Sequence, residues 1–366
     1  MRANCTPRVQ WCLLTLVMLT CCGLLIACRT SEPNGAFHRY EFKQPHMGTL
    51  FTITLYAPDE ARAKAASDAA FAKIAALDRM MTDYDPESEL MQLCQKPCGQ
   101  PVRVSDELFD ILQKSQRVAE LSDGAFDVTV GPVIRLWRRA RRTASLPPLD
   151  ALARARQSVG HQKLKLDPRH KTVTLTVPDM QLDLGGIAKG YAADKALGVL
   201  RSHGIHRALV AASGDIALGD PPPGKPGWRV SIGAPVSNPA RSETAARRAG
   251  PEASASIART LLLRNAAVST SGDAEQFVEI AGRRYSHIVD PRTGMGLTER
   301  LQVSIIARHA TETDSFATAV SVLGAERGLA LVESQPGMAA FFLRKNGEAA
   351  EAFESRRFKG IPASNR

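Results

Sequence analysis

The 366-residue chain is poor in aromatic residues, and most of its seven cysteines lie near one end. Aromatic residues make up 5% of the sequence, so the stacking platforms that bind single-stranded nucleic acids are not evident. Five cysteines fall at positions 5, 12, 21, 22 and 28, which leaves Cys94 and Cys98 for the rest of the chain. No second Cys or His pair accompanies these two at a zinc-site spacing. We interpret them as a disulfide or as two idle thiols.

Two further absences narrow the choice of fold. No segment repeats at a fixed period, so nothing indicates a solenoid or a propeller. The glycines of Leu182–Asp194 match neither the P-loop spacing nor the dinucleotide-binding fingerprint. Strand-like and helix-like segments alternate irregularly, and many connections are too short for parallel crossovers. The sequence therefore predicts an α+β fold, with mixed or antiparallel sheets and packed helices in a single large domain with two lobes.

The N-terminal segment has two arginines followed by an uncharged apolar run, Trp11 to Ala27. This arrangement is typical of a secretory signal. The run ends in a small residue followed by Cys28, a pattern that resembles a bacterial lipoprotein signal. The resemblance implies a signal peptide over residues 1–27, acylation of Cys28, and a tether over 28–36. An uncleaved membrane anchor is the alternative. We expect attachment to a lipid bilayer on the periplasmic side, with inner or outer membrane left open.

The charge of the chain is consistent with a phosphate-bearing ligand. The formal net charge of +10 falls to +8 without residues 1–27, which hold two arginines and no acidic residue. We expect export to exclude nucleic acid as a partner, so the excess charge favours anionic surfaces or phosphates. The predicted domain covers 37–350, with a C-terminal tail over 351–366. Residues 236–258 lack periodicity and are predicted to be a flexible surface insertion.

Local patterns predict several elements. Residues Thr49–Ala57 have the period-2 pattern of a strand, which we predict to be the first. Residues Asp59–Met81 read as an amphipathic helix, and Ser105 is a plausible N-cap of the next. A helix is also predicted from Gly190 to His203. The basic stretch Arg135–Arg142 is interpreted as a solvated face or loop.

Three segments hold more Gly, Asp and Ser than packing requires. In the first, Gly185, Gly186 and Gly190 precede a helix, where backbone amides and Lys189 could meet a phosphate. The alternative is an ordinary glycine-rich helix start. The second includes His287 in a turn-rich loop, where it is either a catalytic group or a structural hydrogen-bonding residue.

The third segment contains Asp314 and Thr318, four residues apart in what we predict to be the first turn of a helix. Their oxygens then project from one face. A carboxylate and a hydroxyl are hard oxygen ligands suited to Mg²⁺. The alternative is that Asp314 caps the helix and Thr318 is a packed residue.

In this order and at these separations the three segments resemble the ApbE family of FAD:protein FMN transferases. The resemblance spans Phe37 to Gly347. Its further motifs are HMGT at 46–49, MTDYDPESEL at 81–90, GAFDVTVGP at 124–132, SGDI at 213–216 and YSHIVDPRTG at 285–294. One departure concerns the run after Pro132, which reads RLWRRARR where the family usually has an Asn-Leu-Trp-Gly-Phe-Gly-like sequence. We expect this departure to affect the choice of partner more than the reaction.

The resemblance implies an activity and a set of site residues. The activity is Mg²⁺-dependent transfer of FMN from FAD to a Thr or Ser hydroxyl of a partner protein, with release of AMP. The implied acceptors are exported or membrane redox proteins with a Ser/Thr flavinylation motif. The implied FAD pocket is formed by Met47, Tyr84, Ala125, Phe126, Asp127, Asp183 and Lys189, and is completed by the backbone region of His287 and Ile288. The Gly186 carbonyl, Asp314 and Thr318 would hold Mg²⁺, and His287 and Asp314 are the candidate catalytic residues.

Two other functions stay open at this point. Water could replace the protein hydroxyl in the same site, which would make the chain a Mg²⁺-dependent FAD pyrophosphatase that yields FMN and AMP. A non-enzymatic FAD-binding lipoprotein is the second alternative.

Overall fold

An antiparallel β-sheet flanked by helices organises the chain. The computed structural model describes residues 37–233, 258–272, 277–346 and 349–363. The strands are β1 His38–His46, β2 Thr49–Ala57, β3 Val102–Arg103, β4 Leu164–Asp167, β5 Thr172–Leu175, β6 Ala208–Ala212, β7 Asp215–Leu218, β8 Trp228–Ile232, β9 Arg259–Leu263, β10 Ala267–Gly272, β11 Phe277–Ile280, β12 Arg283–Ser286, β13 Val289–Asp290, β14 Met295–Gly296, β15 Arg300–Ala307, β16 Ala339–Asn346 and β17 Ala349–Glu354. The α-helices are α1 Glu60–Met81, α2 Glu89–Cys94, α3 Asp106–Leu121, α4 Gly131–Thr143, α5 Leu149–Gln157, α6 Ala188–Ser202 and α7 Ala310–Ser334.

The main sheet has eight strands in the order β1-β2-β6-β7-β10-β15-β16-β17, and every neighbouring pair is antiparallel. Both of its faces are buried. Ala267 and Ile305 belong to the core that also contains α1, α6 and α7. Their chain neighbours Val268 and Ile306 point the other way, into a second cluster formed with β8 and β9. The described residues from His38 onward form one compact unit, so the predicted α+β domain is confirmed.

The N-terminal strands form a hairpin of which only the second strand was predicted. We predicted the first strand after the HMGT motif, but β1 precedes that motif and pairs with β2 from His38↔Ala57 to His46↔Thr49. Met47 and Gly48 make the turn with φ values of +49° and +71°. Positive φ at both positions is what a two-residue hairpin turn requires, and glycine adopts it without strain. The turn holds Met47 at the end of the sheet.

Two helix starts agree with the sequence. The Asp59 carboxylate accepts the Arg62 N–H at 2.8 Å, and the Ser105 hydroxyl accepts the Leu108 N–H at 3.2 Å. Both are N-cap bonds of the kind that the sequence indicated for Ser105.

Helix α7 differs from its prediction. It begins at Ala310, so Asp314 lies in the second turn and not in the first. The cap comes from Asp194 of α6, whose carboxylate accepts the N–H groups of Ala310 and Thr311 at 2.9 and 2.8 Å. The alternative that Asp314 caps this helix is therefore wrong. Among the described helices, α7 has the length and hydropathy of a membrane span, but it packs against α6, β10 and β15 as a core helix.

Two other expectations need correction. The basic stretch Arg135–Arg142 is not a loop but part of α4, with Pro132 in its first turn, where proline is favoured. The folded region also continues past residue 350, into the predicted C-terminal tail. Strand β17 pairs with β16, and the Phe358 ring stacks on Phe341 with ring centroids 5.1 Å apart. Residues 1–36 and nearly all of 236–258 lie outside the described residues, so their assignments stay predictions.

Helices α6 and α7 cross in close contact at Gly190. A Cβ atom on this residue would lie 2.1 Å from the Ala310 carbonyl oxygen and 2.8 Å from the Asp314 Cβ. The missing side chain allows the Gly190 N–H to donate to Asp314 Oδ2 at 3.0 Å. Glycine at this position therefore sets the distance between the two helices that carry the polar residues described below.

We expect Gly190→Ala to lower the free energy of unfolding by roughly 1–3 kcal/mol, because the added methyl group has no space. Gly198→Ala is the matched control on the same helix, since no atom outside its own helix lies within 4 Å of the point that the added methyl carbon would occupy. That substitution should leave stability unchanged or raise it by up to about 1 kcal/mol through helix propensity. Urea unfolding of both variants measures the difference, and equal effects would contradict this account of the crossing.

Candidate active site

A cavity of about 580 Å³ opens beside the crossing of α6 and α7. This volume lies within the range of roughly 300–1,000 Å³ that small-molecule sites occupy. The structure brings all twelve predicted site residues to its wall: Met47, Tyr84, Ala125, Phe126, Asp127, Asp183, Gly186, Lys189, His287, Ile288, Asp314 and Thr318. They come from segments spread over more than 270 positions of the chain, which the fold places around one space. Their individual roles stay predictions.

One side of the cavity wall holds the three predicted metal-binding residues. A Cβ on Gly186 would lie 3.1 Å from Thr318 Oγ1, so the backbone of Gly186 approaches the hydroxyl closely. Asp314 lies one turn earlier on α7, and Thr318 Oγ1 donates back to the Asp314 carbonyl at 3.4 Å. Asp314 is buried, with 3% of its surface exposed, and its Oδ2 accepts a hydrogen bond from the Gly190 N–H. The three predicted metal-binding residues are thus neighbours.

Three charged groups lie beside these residues: the buried carboxylates of Asp215 and Asp314 and the ammonium group of Lys189. Lys189 Nζ donates to Asp215 and lies 3.8 Å from Asp314 Oδ1. Burial lowers the pKa of Lys189, but the two carboxylates outweigh burial and raise it. Burial, followed by the charge of Asp215, raises the pKa of Asp314 to about 7. Asp215 belongs to the SGDI motif, which the sequence analysis quoted without assigning a role to this residue.

The donor set suits a small divalent cation. A carboxylate, a hydroxyl and a backbone carbonyl are hard oxygen ligands, and Mg²⁺ takes few protein ligands and keeps sites for water and phosphate. Burial and the charge of Asp215 raise the pKa of Asp314 despite the nearby Lys189, and a bound cation would favour the charged carboxylate. Within the described ranges no group of three or more His, Cys, Asp or Glu side chains forms a metal cluster. Gly186, Asp314 and Thr318 therefore fit Mg²⁺ by the chemistry of their oxygens.

The loop that carries His287 is fixed to α4. Trp137 of that helix donates from Nε1 to the Gly294 carbonyl at 2.8 Å and packs on Tyr285 with ring centroids 5.2 Å apart. The Ser286 N–H donates to the Leu297 carbonyl at 2.7 Å, on the residue adjacent to His287. These bonds hold the half-buried His287 ring at the cavity wall.

Two predicted FAD-binding residues also have local structural bonds. The Met47 N–H donates to Asp78 Oδ2 at 2.8 Å, which joins the hairpin turn to α1. Asp127 Oδ1 accepts the N–H and the hydroxyl of Thr129 at 2.8 and 2.7 Å. Burial raises the pKa of Asp127 despite these bonds. Both residues line the cavity while they stabilise the loops that form it.

Sequence reasoning missed a basic wall at the mouth of the cavity. Arg138 of α4 donates to Asp83 and, at 2.8 Å, to Asp183 Oδ2, and its guanidinium lies 4.4 Å from the centroid of the Tyr84 ring. Arg141 lines the same wall. Helical spacing was the available signal, because residues 134, 138 and 141 fall on one face of a helix. The interpretation of the stretch as a solvated face or loop overlooked its cavity-facing side.

Comparison with known proteins identifies the family. The model of the ApbE family matches residues 47–342, well over half of the chain. The chain belongs to the ApbE family. An FAD:protein FMN transferase of Klebsiella pneumoniae is 30% identical over 350 residues, covering 93% of this chain and 95% of the relative. One from Treponema pallidum is 31% identical over 335 residues, covering 87% of this chain and 88% of the relative.

Solved ApbE structures share the fold. The flavin transferase ApbE of Vibrio cholerae superposes with a TM-score of 0.77 at 27% identity, covering 89% of this chain and all of that one. The apo flavinyl transferase ApbE of Pseudomonas stutzeri gives a TM-score of 0.75 at 29% identity, covering 89% and 97%. The twelve residues that the ApbE resemblance singled out are therefore gathered by an ApbE fold.

The raised pKa of Asp314 predicts a pH-dependent effect of Asp314→Asn in metal-free protein. An aspartate whose folded pKa lies above its usual value of 3.8 contributes stability at low pH, and that contribution is lost as the pH rises to about 7. The asparagine does not ionise, so the melting temperature of the variant relative to wild type should rise by roughly 2–4 °C from pH 5 to pH 8. Thermal unfolding in EDTA measures it.

Asp150→Asn is the control for that experiment. Asp150 is exposed on α5, and its hydrogen bond from Arg154 lowers its pKa. The relative melting temperature of this variant should not rise with pH. A pH-independent difference for Asp314→Asn would show that burial does not disfavour its charge.

Proposed function

We propose that the chain transfers FMN from FAD to a Ser or Thr hydroxyl of a partner protein and releases AMP. The observation that carries the proposal is the convergence of all twelve predicted site residues on one cavity of dinucleotide-compatible size. The family assignment supports it, because relatives that align over most of the chain are named FAD:protein FMN transferases. The oxygen ligands of Gly186, Asp314 and Thr318 suit a pyrophosphate with its cation, and the exposed Tyr84 ring suits a flat ring.

We assign Mg²⁺ to Gly186, Asp314 and Thr318. A bound Mg²⁺ would offset the negative charge of the pyrophosphate and of the leaving AMP. Lys189 adds a positive charge beside this position, and Asp215 holds its ammonium group in place. The amide N–H groups at the start of α6 give further positive potential toward a phosphate.

The reaction is a displacement at phosphorus. The oxygen of the acceptor hydroxyl forms a bond to the flavin-side phosphorus, and the bond from that phosphorus to the bridging oxygen breaks, so AMP leaves with the electron pair. The hydroxyl proton must pass to a base. His287 is our candidate, because it is half-buried on the cavity wall. Asp314 is bonded to Gly190, lies near Lys189 and is assigned to the metal, so it is less suited to take a proton.

We propose a location for the protein from its N-terminal sequence, and a class of partners from its family. Acylation of Cys28 would attach the domain to a membrane on the periplasmic side through the tether 28–36. The acceptors would then be exported or membrane redox proteins that carry a Ser/Thr flavinylation motif. These assignments are proposals drawn from the lipoprotein-like signal and from the family.

The test combines purified protein, FAD, Mg²⁺ and an acceptor domain that carries such a motif. Intact mass spectrometry should show an acceptor gain of FMN minus water, with an equal amount of AMP. Asp314→Ala should abolish both products, whereas the exposed Asp150→Ala should not. AMP and free FMN without a mass gain would instead support the pyrophosphatase, and unchanged FAD would support a binding protein.

The role of His287 has a separate test. We expect His287→Gln to lower kcat by roughly 10²–10⁴-fold, the usual contribution of a general base, while the Kd for FAD changes little. Stopped-flow measurement of acceptor labelling and flavin fluorescence titration give the two values. An unchanged kcat would remove His287 from proton transfer.

A further inference from the structure

Helix α4 presents one basic face to the cavity and another to solvent. Ile134, Arg138 and Arg141 occur at positions i, i+4 and i+7 and line the cavity. Arg139 and Arg142 are exposed to solvent. The inner face therefore places two guanidinium groups at the cavity wall.

Arg138 is fully engaged with protein groups. It bridges Asp83 and Asp183, and its guanidinium covers one face of Tyr84. The second oxygen of Asp183 accepts the Gly185 N–H at 2.8 Å. Burial lowers the pKa of Arg138, but the Asp83 and Asp183 carboxylates outweigh it and raise that pKa. Arg138 therefore forms ion pairs with both carboxylates near it.

Arg141, the neighbour of Arg138, is attracted by the charges of Tyr84 and Asp183 but is not hydrogen-bonded to them. Among the residues that the structure describes, none accepts a hydrogen bond from its guanidinium or forms an ion pair with it. The side chain is half-buried, and burial, followed by the charge of Arg138, lowers its pKa. A partly desolvated cation that lacks an acceptor costs free energy. A ligand in the cavity would supply the missing acceptor.

We propose that Arg141 binds the pyrimidine edge of the isoalloxazine ring of FAD. This inference rests on the proposed use of FAD. The edge presents a carbonyl oxygen next to an unprotonated ring nitrogen, two acceptors that match the paired N–H groups of a guanidinium. Adenine places an amino donor on its corresponding edge, which would face the guanidinium donors unfavourably.

The position of the ring follows from the open face of Tyr84. This side chain is 77% exposed although Arg138 covers one face, so its other face is open to the cavity mouth. The pyrophosphate is assigned to the side of Gly186 and Lys189, so one of the two ring systems of FAD lies toward Tyr84 and Arg141. The acceptor edge of the flavin suits the guanidinium of Arg141 better than the amino edge of adenine, so we place the flavin there.

A guanidinium at this edge has an electronic consequence. Reduction of a flavin places negative charge on the ring nitrogen and carbonyl that Arg141 would contact. A neighbouring cation stabilises that charge and raises the reduction potential of the bound flavin. A purely structural arginine would not produce this effect.

The experiment compares Arg141→Gln with Arg142→Gln, which removes the same charge from the exposed side of α4. FMN and AMP are titrated separately against the full-length protein, and the reduction potential of bound FAD is measured. Arg141→Gln should weaken FMN binding about 10-fold or more, the value of a charged hydrogen bond. The same variant should leave AMP binding unchanged and lower the potential. Arg142→Gln should change none of the three.

Each other outcome has a defined meaning. Weaker binding of AMP would place Arg141 at the adenosine half and overturn the inference. Weaker binding of FMN at an unchanged potential would assign Arg141 to the phosphate, which also overturns it. Equal behaviour of the two variants would show that Arg141 does not contact the ligand. If wild-type protein binds FAD but does not transfer FMN, the proposed function fails while the inference about Arg141 can still hold.

Discussion

The close crossing of α6 and α7 at Gly190 is the constraint on which the site depends. The absence of a side chain brings the amide of Gly190 within 3.0 Å of the Asp314 carboxylate. On either side of this contact, α6 carries Lys189 and follows Gly186, while α7 carries Thr318 one turn beyond Asp314. Asp194 fixes the start of α7 from the same helix α6. One backbone contact and one cap thus place the oxygen cluster.

The site divides into two ends of different chemistry. The inner end holds buried charges in a small volume, where the free energy of each carboxylate depends on Lys189 and on any bound cation. The outer end is formed by α4, whose Trp137 anchors the loop of His287 while Arg138 and Arg141 face the mouth. The same helix therefore supports the candidate base and shapes the ligand entrance. Changes in its sequence can alter binding at the mouth without disturbing the inner end.

The sequence predicted the fold class and the residues that line the cavity. It did not predict the turns, caps and ion pairs that position them. Co-occurring motifs picked out residues that the fold brings together, because each motif marks a segment that contacts the same cavity. Periodicity predicted β2 and α1 but not β1. The turn that joins β1 to β2 was not recognised, because Met47 is not a residue type that usually adopts a positive φ. The cap of α7 was not predicted because Asp194 is 117 positions from Thr311, and sequence spacing indicates only local partners. Lys189 and Asp215 show the same limit, since their pairing arises from tertiary structure.

The most direct test of this account is a crystal structure of the protein with FAD and Mn²⁺ in place of Mg²⁺, with anomalous data at the manganese edge. The account predicts one strong anomalous peak bonded to the Gly186 carbonyl, the Asp314 carboxylate and the Thr318 hydroxyl, in contact with the pyrophosphate. Bound FAD with no manganese at these oxygens, or with its pyrophosphate away from Gly186 and Lys189, would contradict it.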